Sequence, residues 1–274
     1  MAKVFTSEYG REVMGLLGSV HPSPCLLLGP SGMGKSVITT ELGNAFGQRV
    51  RRVNFHEGMD IGELYGINVP VSVDGNTVLT YRLGELALAA RDGDIFVGEE
   101  INRMPQAGIS GAFGLLDTMD RHLSLPEATD MEREMEVHPD FMFVASANPL
   151  GGGYNTHKLD KAFLRRFVLV INITEPLADE EKVLHSILPE PKWESFRGRL
   201  LKWARSITGD VYVSTGDLVN LAGNIKAGIP IPKAMEYSIL NKLDKESADG
   251  LAETFKVALG MDFNESLDKV GGGA

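Results

Sequence analysis

A single cysteine, Cys25, stands among 274 residues, so no disulfide forms within the chain. It lies in the apolar run Cys25-Leu26-Leu27-Leu28, where a cysteine reads as a small buried hydrophobe rather than a reactive thiol. The six histidines are scattered and none has a second ligand at zinc-site spacing, which excludes a zinc-finger framework. No apolar stretch approaches the ~20 residues that span a bilayer. No apolar run precedes a cleavage site near the N-terminus, so no secretory leader is expected either. Positive charge is scarce: 27 Lys and Arg against 37 Asp and Glu leave a net charge of −10. An acidic surface repels nucleic-acid phosphates and disfavours a role on DNA or RNA. A reducing, cytoplasmic setting is the expectation.

What is present has the composition of a globular chain, 43% hydrophobic and 23% charged. Five short apolar runs have strand length: 24–28, 50–55, 95–98, 141–147 and 167–173. Helical patterns lie between most of them, at 36–46, 84–91 and 109–119. Such alternation predicts an α/β domain with a mainly parallel five-stranded sheet covered on both faces. Pro176 ends the alternation. Only helical patterns follow, at 179–188, 193–206, 215–227, 233–242 and 248–259. The expected organisation is an α/β domain over 1–175, a small all-helical domain over 176–243, and a C-terminal helix with a flexible tail over 244–274. Two hairpins interrupt the first domain. One, over 69–81, turns at Asp74-Gly75, with Val69, Val71 and Val73 on one face and Val78 and Tyr81 across the turn. The other pairs 122–126 with 135–137 around an acidic stretch at 127–134.

The segment Gly29-Pro30-Ser31-Gly32-Met33-Gly34-Lys35-Ser36 meets the phosphate-loop pattern in full, between a buried strand and a helix. Gly29, Gly32 and Gly34 allow the left-handed turns that aim successive backbone N–H groups at one point. The helix beginning near Lys35 adds its positive end. Lys35 supplies a cation for the β- and γ-phosphates, and Ser36 a hydroxyl for Mg²⁺. The pattern therefore predicts ATP and Mg²⁺ as cofactors.

The run Ile95-Phe96-Val97-Gly98 ends in Glu99-Glu100. A Mg²⁺–nucleotide site needs a carboxylate at the end of a strand neighbouring the loop. Glu99 is the metal-side candidate and Glu100 the general base that polarises the attacking water. Asn148, at the end of the fourth strand, is placed to orient that water; an Asn-Pro pair is also an ordinary turn. Arg165 and Arg166 precede the fifth strand, where a guanidinium could stabilise transition-state charge or simply be solvated. Asn241-Lys242-Leu243-Asp244 matches a guanine-reading pattern but closes a helical run, so it reads as a helix terminus.

These motifs, with the segments 59–66, 80–105, 138–149 and 159–167, resemble in kind and order those of AAA+ ATPases of the MoxR-like group, akin to the CbbQ, NorQ, CobS and dynein-related type. The resemblance runs from the N-terminal helix to about residue 240. It implies that Lys35 and Ser36 match the Walker A pair, and that Glu99 and Glu100 match the Walker B pair. It implies sensor 1 at Asn148 and, at Arg166, an arginine finger acting on a neighbouring subunit, with Arg165 as its possible companion. It further implies a P-loop AAA+ core followed by a helical lid, a homo-oligomeric ring of six, and inserts at 69–81 and 122–137 that face a central pore. Two positions depart from the family. Glu99 stands where an aspartate is usual, and Gly216 replaces the sensor-2 arginine, with Lys233 as a candidate substitute. The function expected is an ATP-hydrolysing, chaperone-like ring that remodels or activates an unidentified protein. The alternatives are a nucleotide-gated assembly with weak turnover and, less favoured, a nucleic-acid motor.

Overall fold

The computed structural model describes residues 6–104, 106–117, 119–129, 133–148, 159–207 and 211–260, with backbone alone at 106, 107 and 109. The chain runs α1 (Glu8–Ser19), β1 (Cys25–Leu28), α2 (Lys35–Phe46), β2 (Val50–Asn54), α3 (Gly62–Tyr65), β3 (Gly66–Val73), β4 (Asn76–Leu83), α4 (Glu85–Asp92) and β5 (Ile95–Glu99). It continues with α5 (Gln106–Gly111), β6 (His122–Ser124), β7 (Glu134–Glu136), β8 (Met142–Ala147), α6 (Lys161–Leu164) and β9 (Leu169–Asn172). The helices α7 (Glu180–Ile187), α8 (Glu194–Ser206), α9 (Thr215–Lys226), α10 (Ile231–Ser238) and α11 (Lys245–Leu259) follow. The tail motif at 271–274, Pro105 and Pro149 lie outside the described residues.

The five apolar runs form one sheet in the order β2-β5-β8-β1-β9, and each of its pairings is parallel. The expected architecture, a five-stranded parallel sheet followed by a mainly helical region, is what the chain adopts. Burial explains the order. β5 and β8 are apolar and buried almost throughout, as central parallel strands must be, whereas β9 alternates partly buried and exposed residues as an edge does. On one side of the sheet Phe96, Phe143, Phe167 and Phe163 pack in that order as a chain, with successive ring centroids 5.3, 6.2 and 5.2 Å apart. Truncating one such ring to alanine costs about 3–5 kcal/mol, a large part of a domain's margin.

The chain divides into two compact units. One holds Arg11–Pro30 and Lys35–Thr174; the other holds residues from Glu175 onward together with Ser31–Gly34 and residues 6–10. In the second unit, α7 to α11 enclose Phe196, Trp203 and Phe255. Trp203 meets Phe255 edge-on at 4.8 Å and donates its ring N–H to Thr254 at 3.0 Å. Asp179, Ser214 and Asp244 cap α7, α9 and α11, and Ser214 with Asp217 completes a capping box.

Three local expectations need correction. The helix foreseen over 109–119 is α5, shorter and earlier, followed by turns; Gly111 and Gly114 weaken a helix there by about 1 kcal/mol each. The pattern at 233–242 begins at Ile231, because Pro232 fits a first helical turn, and it ends at Ser238 before a 3₁₀ turn. The first hairpin extends over β3 and β4, with left-handed residues at Asp74 (φ 50°) and Gly75 (φ 81°). Its register pairs Val71 with Val78 but Asn68 with Tyr81. Tyr81 therefore lies on the face opposite the valines and is buried in the core, while Val71, Val73 and Val78 are exposed.

Candidate functional site

The carboxyl ends of parallel strands form the edge where α/β sheets bind ligands. β1 delivers the Gly29–Ser36 segment there. The Gly29 N–H donates to the Ala147 carbonyl at 3.1 Å, and a Cβ on Gly29 would stand 2.8 Å from that of Ile173. Gly32 and Gly34 have φ of 78° and 89°, the left-handed conformation for which the loop needs glycine. Met33 is buried, Pro30 half-buried and Ser31 exposed. Lys35 opens α2 and folds back along the loop. Its Nζ donates to the carbonyls of Gly29 (2.6 Å) and Pro30 (2.8 Å) and to Asn148 Oδ1 (3.4 Å). Burial pushes its ammonium down to about 8, against the opposing pull of Glu100 and Glu99. The cation is thus held by neutral carbonyls and is short of counter-charge, the condition an oxyanion relieves.

Ser36 Oγ donates to Glu99 Oε1 at 2.7 Å. The same oxygen accepts Arg52 Nη1 at 2.9 Å. Glu100 follows in a left-handed conformation (φ 57°), uncommon for a residue with a side chain, and it turns the chain out of the strand. Its Oε2 pairs with Arg103 Nη1 at 3.0 Å and its Oε1 accepts Asn148 Nδ2 at 3.4 Å. Asn148 is buried, and Asn102 Nδ2 donates to its carbonyl at 3.2 Å. Lys35, Ser36, Glu99, Glu100 and Asn148 therefore meet at one edge. One detail differs from expectation: β8, not β5, is the strand beside β1, so Asn148 stands between the loop and the two carboxylates.

The donor set fits ATP with Mg²⁺. Among the described residues no group of three or more His, Cys, Asp or Glu could hold a metal ion. One hydroxyl and one carboxylate 2.7 Å apart suit instead an ion that keeps waters and takes its remaining oxygens from phosphates, as Mg²⁺ does.

Arg165 and Arg166 are not brought to this edge. They precede β9, whose first residue pairs with Cys25 at the start of β1. Arg166 is half-buried with its guanidinium 4.4 Å from the centre of the Phe113 ring, and Arg165 is exposed at the end of α6. In the other unit, the Asn241–Asp244 pattern is occupied structurally: Lys242 pairs with Asp217 at 2.6 Å and Asp244 caps α11. Gly216 lies in the first turn of α9, and Lys233 is exposed on α10.

Arg52 and Arg103, which join this site through Glu99 and Glu100, are not among the residues the motifs point to. The signal for Arg103 is its place three residues after Glu100. The signal for Arg52 is a pair of arginines in a five-residue strand, which period two sends to opposite faces. At the root of the β3–β4 hairpin a cavity of about 550 Å³ is lined by Met59, Tyr65, Ile67, Tyr81 and Glu127, among others.

The model of the AAA domain family, dynein-related subfamily, matches residues 24–167, just over half of the chain. A midasin of Dictyostelium discoideum is 32% identical over 165 residues, 60% of this chain. A midasin of Giardia intestinalis is 28% identical over 147 residues, 54% of this chain. The chain spans only 3% of the length of each midasin. An uncharacterized protein of Staphylococcus epidermidis is 24% identical over 237 residues, covering 81% of this chain and 84% of its own. No helix among the described residues is long and apolar enough to cross a membrane.

Proposed function

The chain belongs to the AAA domain family, dynein-related subfamily, and from that premise we propose that it is a Mg²⁺-dependent ATPase working as a ring of six, which remodels or activates a protein partner in a chaperone-like way. The observation that carries the proposal is the meeting of Lys35, Ser36, Glu99, Glu100 and Asn148 at one sheet edge. The MoxR-like resemblance and the cytoplasmic setting belong to the same proposal.

In this reading the loop N–H groups of 29–36 and Lys35 bind the phosphates, and Ser36 with Glu99 holds the metal ion. Mg²⁺ held there would supply positive charge to the phosphates. Glu100 takes a proton from the attacking water, which the Asn148 amide orients. Arg103 must release Glu100 for this, because the ion pair at 3.0 Å occupies the carboxylate that would take the proton. Arg166, with Arg165 beside it, serves a neighbouring subunit, since it leaves the sheet at the end away from its own loop. The exposed valine face of the β3–β4 hairpin is the proposed contact for the partner protein.

The second reading is a nucleotide-gated assembly with little turnover. It draws on the Arg103–Glu100 pair, on Glu99 in place of aspartate and on Gly216. Phosphate release measured across protein concentration tests both. Because a cation supplied in trans is worth about a thousandfold, activity per chain rises steeply as the assembly forms. Full activity in a strictly monomeric species contradicts the proposal, and saturating nucleotide binding with negligible release favours the second reading.

A further inference from the structure

Arg51 and Arg52 are successive residues of an edge strand, so their side chains leave on opposite faces. Arg51 is buried among Asp94 (2.6 Å), Asp92 (3.0 Å) and Glu85 (3.1 Å), a structural ion cluster. Arg52 turns to the other face and reaches the candidate metal site. Its Nη1 donates to Glu99 Oε1 at 2.9 Å, while Nη2 donates to the Ser36 carbonyl at 2.8 Å and to Thr40 Oγ1 at 2.6 Å. That same Oε1 also accepts the Ser36 hydroxyl. One carboxylate oxygen thus serves both the hydroxyl that would ligate a metal and a resident cation.

We infer that Arg52 competes with magnesium for the Glu99 carboxylate and so sets the Mg²⁺ requirement of nucleotide binding, an inference that rests on the ATP–Mg²⁺ reading above. Arg52 is a positioning residue: it acts through Glu99. The side chains of the pair are 30% and 29% exposed, so water and a divalent ion can reach the carboxylate and exchange is feasible. The other arm of the guanidinium fork is held on α2 by the Ser36 carbonyl and Thr40, independently of the carboxylate. The reach of the glutamate side chain brings one carboxylate oxygen to both Arg52 and Ser36.

The test is a Mg²⁺ titration of fluorescent ATP-analogue binding, with a parallel measurement in excess chelator, on the full chain and on Arg52→Met, Glu99→Asp and the double variant. Loss of a partly exposed charge-assisted hydrogen bond is worth roughly a fivefold change in an equilibrium constant. Half-saturating Mg²⁺ is expected to fall about that much in Arg52→Met. It should fall in Glu99→Asp, whose shorter arm cannot keep both partners, and no further in the double variant, since neighbours in one network are non-additive. Affinity in chelator stays within about twofold, because the phosphate loop is untouched. An unchanged or higher half-saturating Mg²⁺ in Arg52→Met overturns the inference. So does an equal loss of affinity with and without metal, which would make Arg52 only a clamp on α2. If the unaltered chain binds no nucleotide, or binds it without regard to Mg²⁺, the underlying ATP–Mg²⁺ reading fails first.

Discussion

A mixture of Arg166→Ala and Lys35→Ala chains is expected to hydrolyse ATP although neither variant does so appreciably alone. Arg166 sits before β9, whose first residue pairs with the first residue of β1, whereas the phosphate loop follows the last residue of β1. The guanidinium and its own loop therefore lie at opposite ends of the sheet. Inside its own subunit Arg166 is held against the Phe113 ring at 4.4 Å, and its Nε is buried without a hydrogen-bond partner among the described residues. Under the proposed function this guanidinium serves a neighbour's nucleotide, where a trans arginine is worth about a thousandfold in rate. In the mixture, an interface can join the intact loop of an Arg166→Ala chain to the intact arginine of a Lys35→Ala chain. Phosphate release from the mixture should then exceed the sum of the separate chains. Activity equal to that sum would place the arginine outside the chemistry.

Glu100→Gln is expected to retain ATP and to lower turnover by about a hundredfold or more, the usual worth of a general base. The substitution keeps the length of the side chain and the left-handed backbone at φ 57°. It removes the proton-accepting oxygen and loosens the ion pair to Arg103. Glu99→Gln has a different signature, because Glu99 touches Ser36 and Arg52 rather than Asn148. There the Mg²⁺ dependence of binding weakens. Trapped nucleotide in Glu99→Gln together with normal turnover in Glu100→Gln would reverse the two assignments. A rapid-quench single turnover on each variant separates chemistry from binding.

Much of this arrangement was legible in the sequence. The five parallel strands were found because central strands such as β8 are uninterrupted apolar runs. The turn of the 29–36 segment is legible because left-handed backbone at Gly32 and Gly34 dictates glycine. The apolar run around Cys25 marks it as inert, and burial pushes its thiol up to about 12. What escaped depends on pairing across the chain. Arg52 and Glu99 are 47 residues apart in sequence, and nothing local in Val50–Asn54 says which carboxylate the second arginine meets. The burial of Tyr81 escapes for a related reason: period two sets it opposite Val78, but nothing within the strand says which face meets the core. The early end of α5 was written in Gly111 and Gly114 and was outweighed by the apolar spacing around them.

The central claim is that Gly29–Ser36 is an ATP site in which Lys35 carries the phosphates. Titrating a fluorescent ATP analogue in Mg²⁺ into the unaltered chain and into Lys35→Ala tests it most directly, with circular dichroism to show that both are folded. The account predicts saturable binding by the first and none by the second, because the substitution removes a cation whose Nζ contacts are the loop carbonyls and Asn148 and leaves the sheet intact. Equal affinity in the two folded proteins would contradict it.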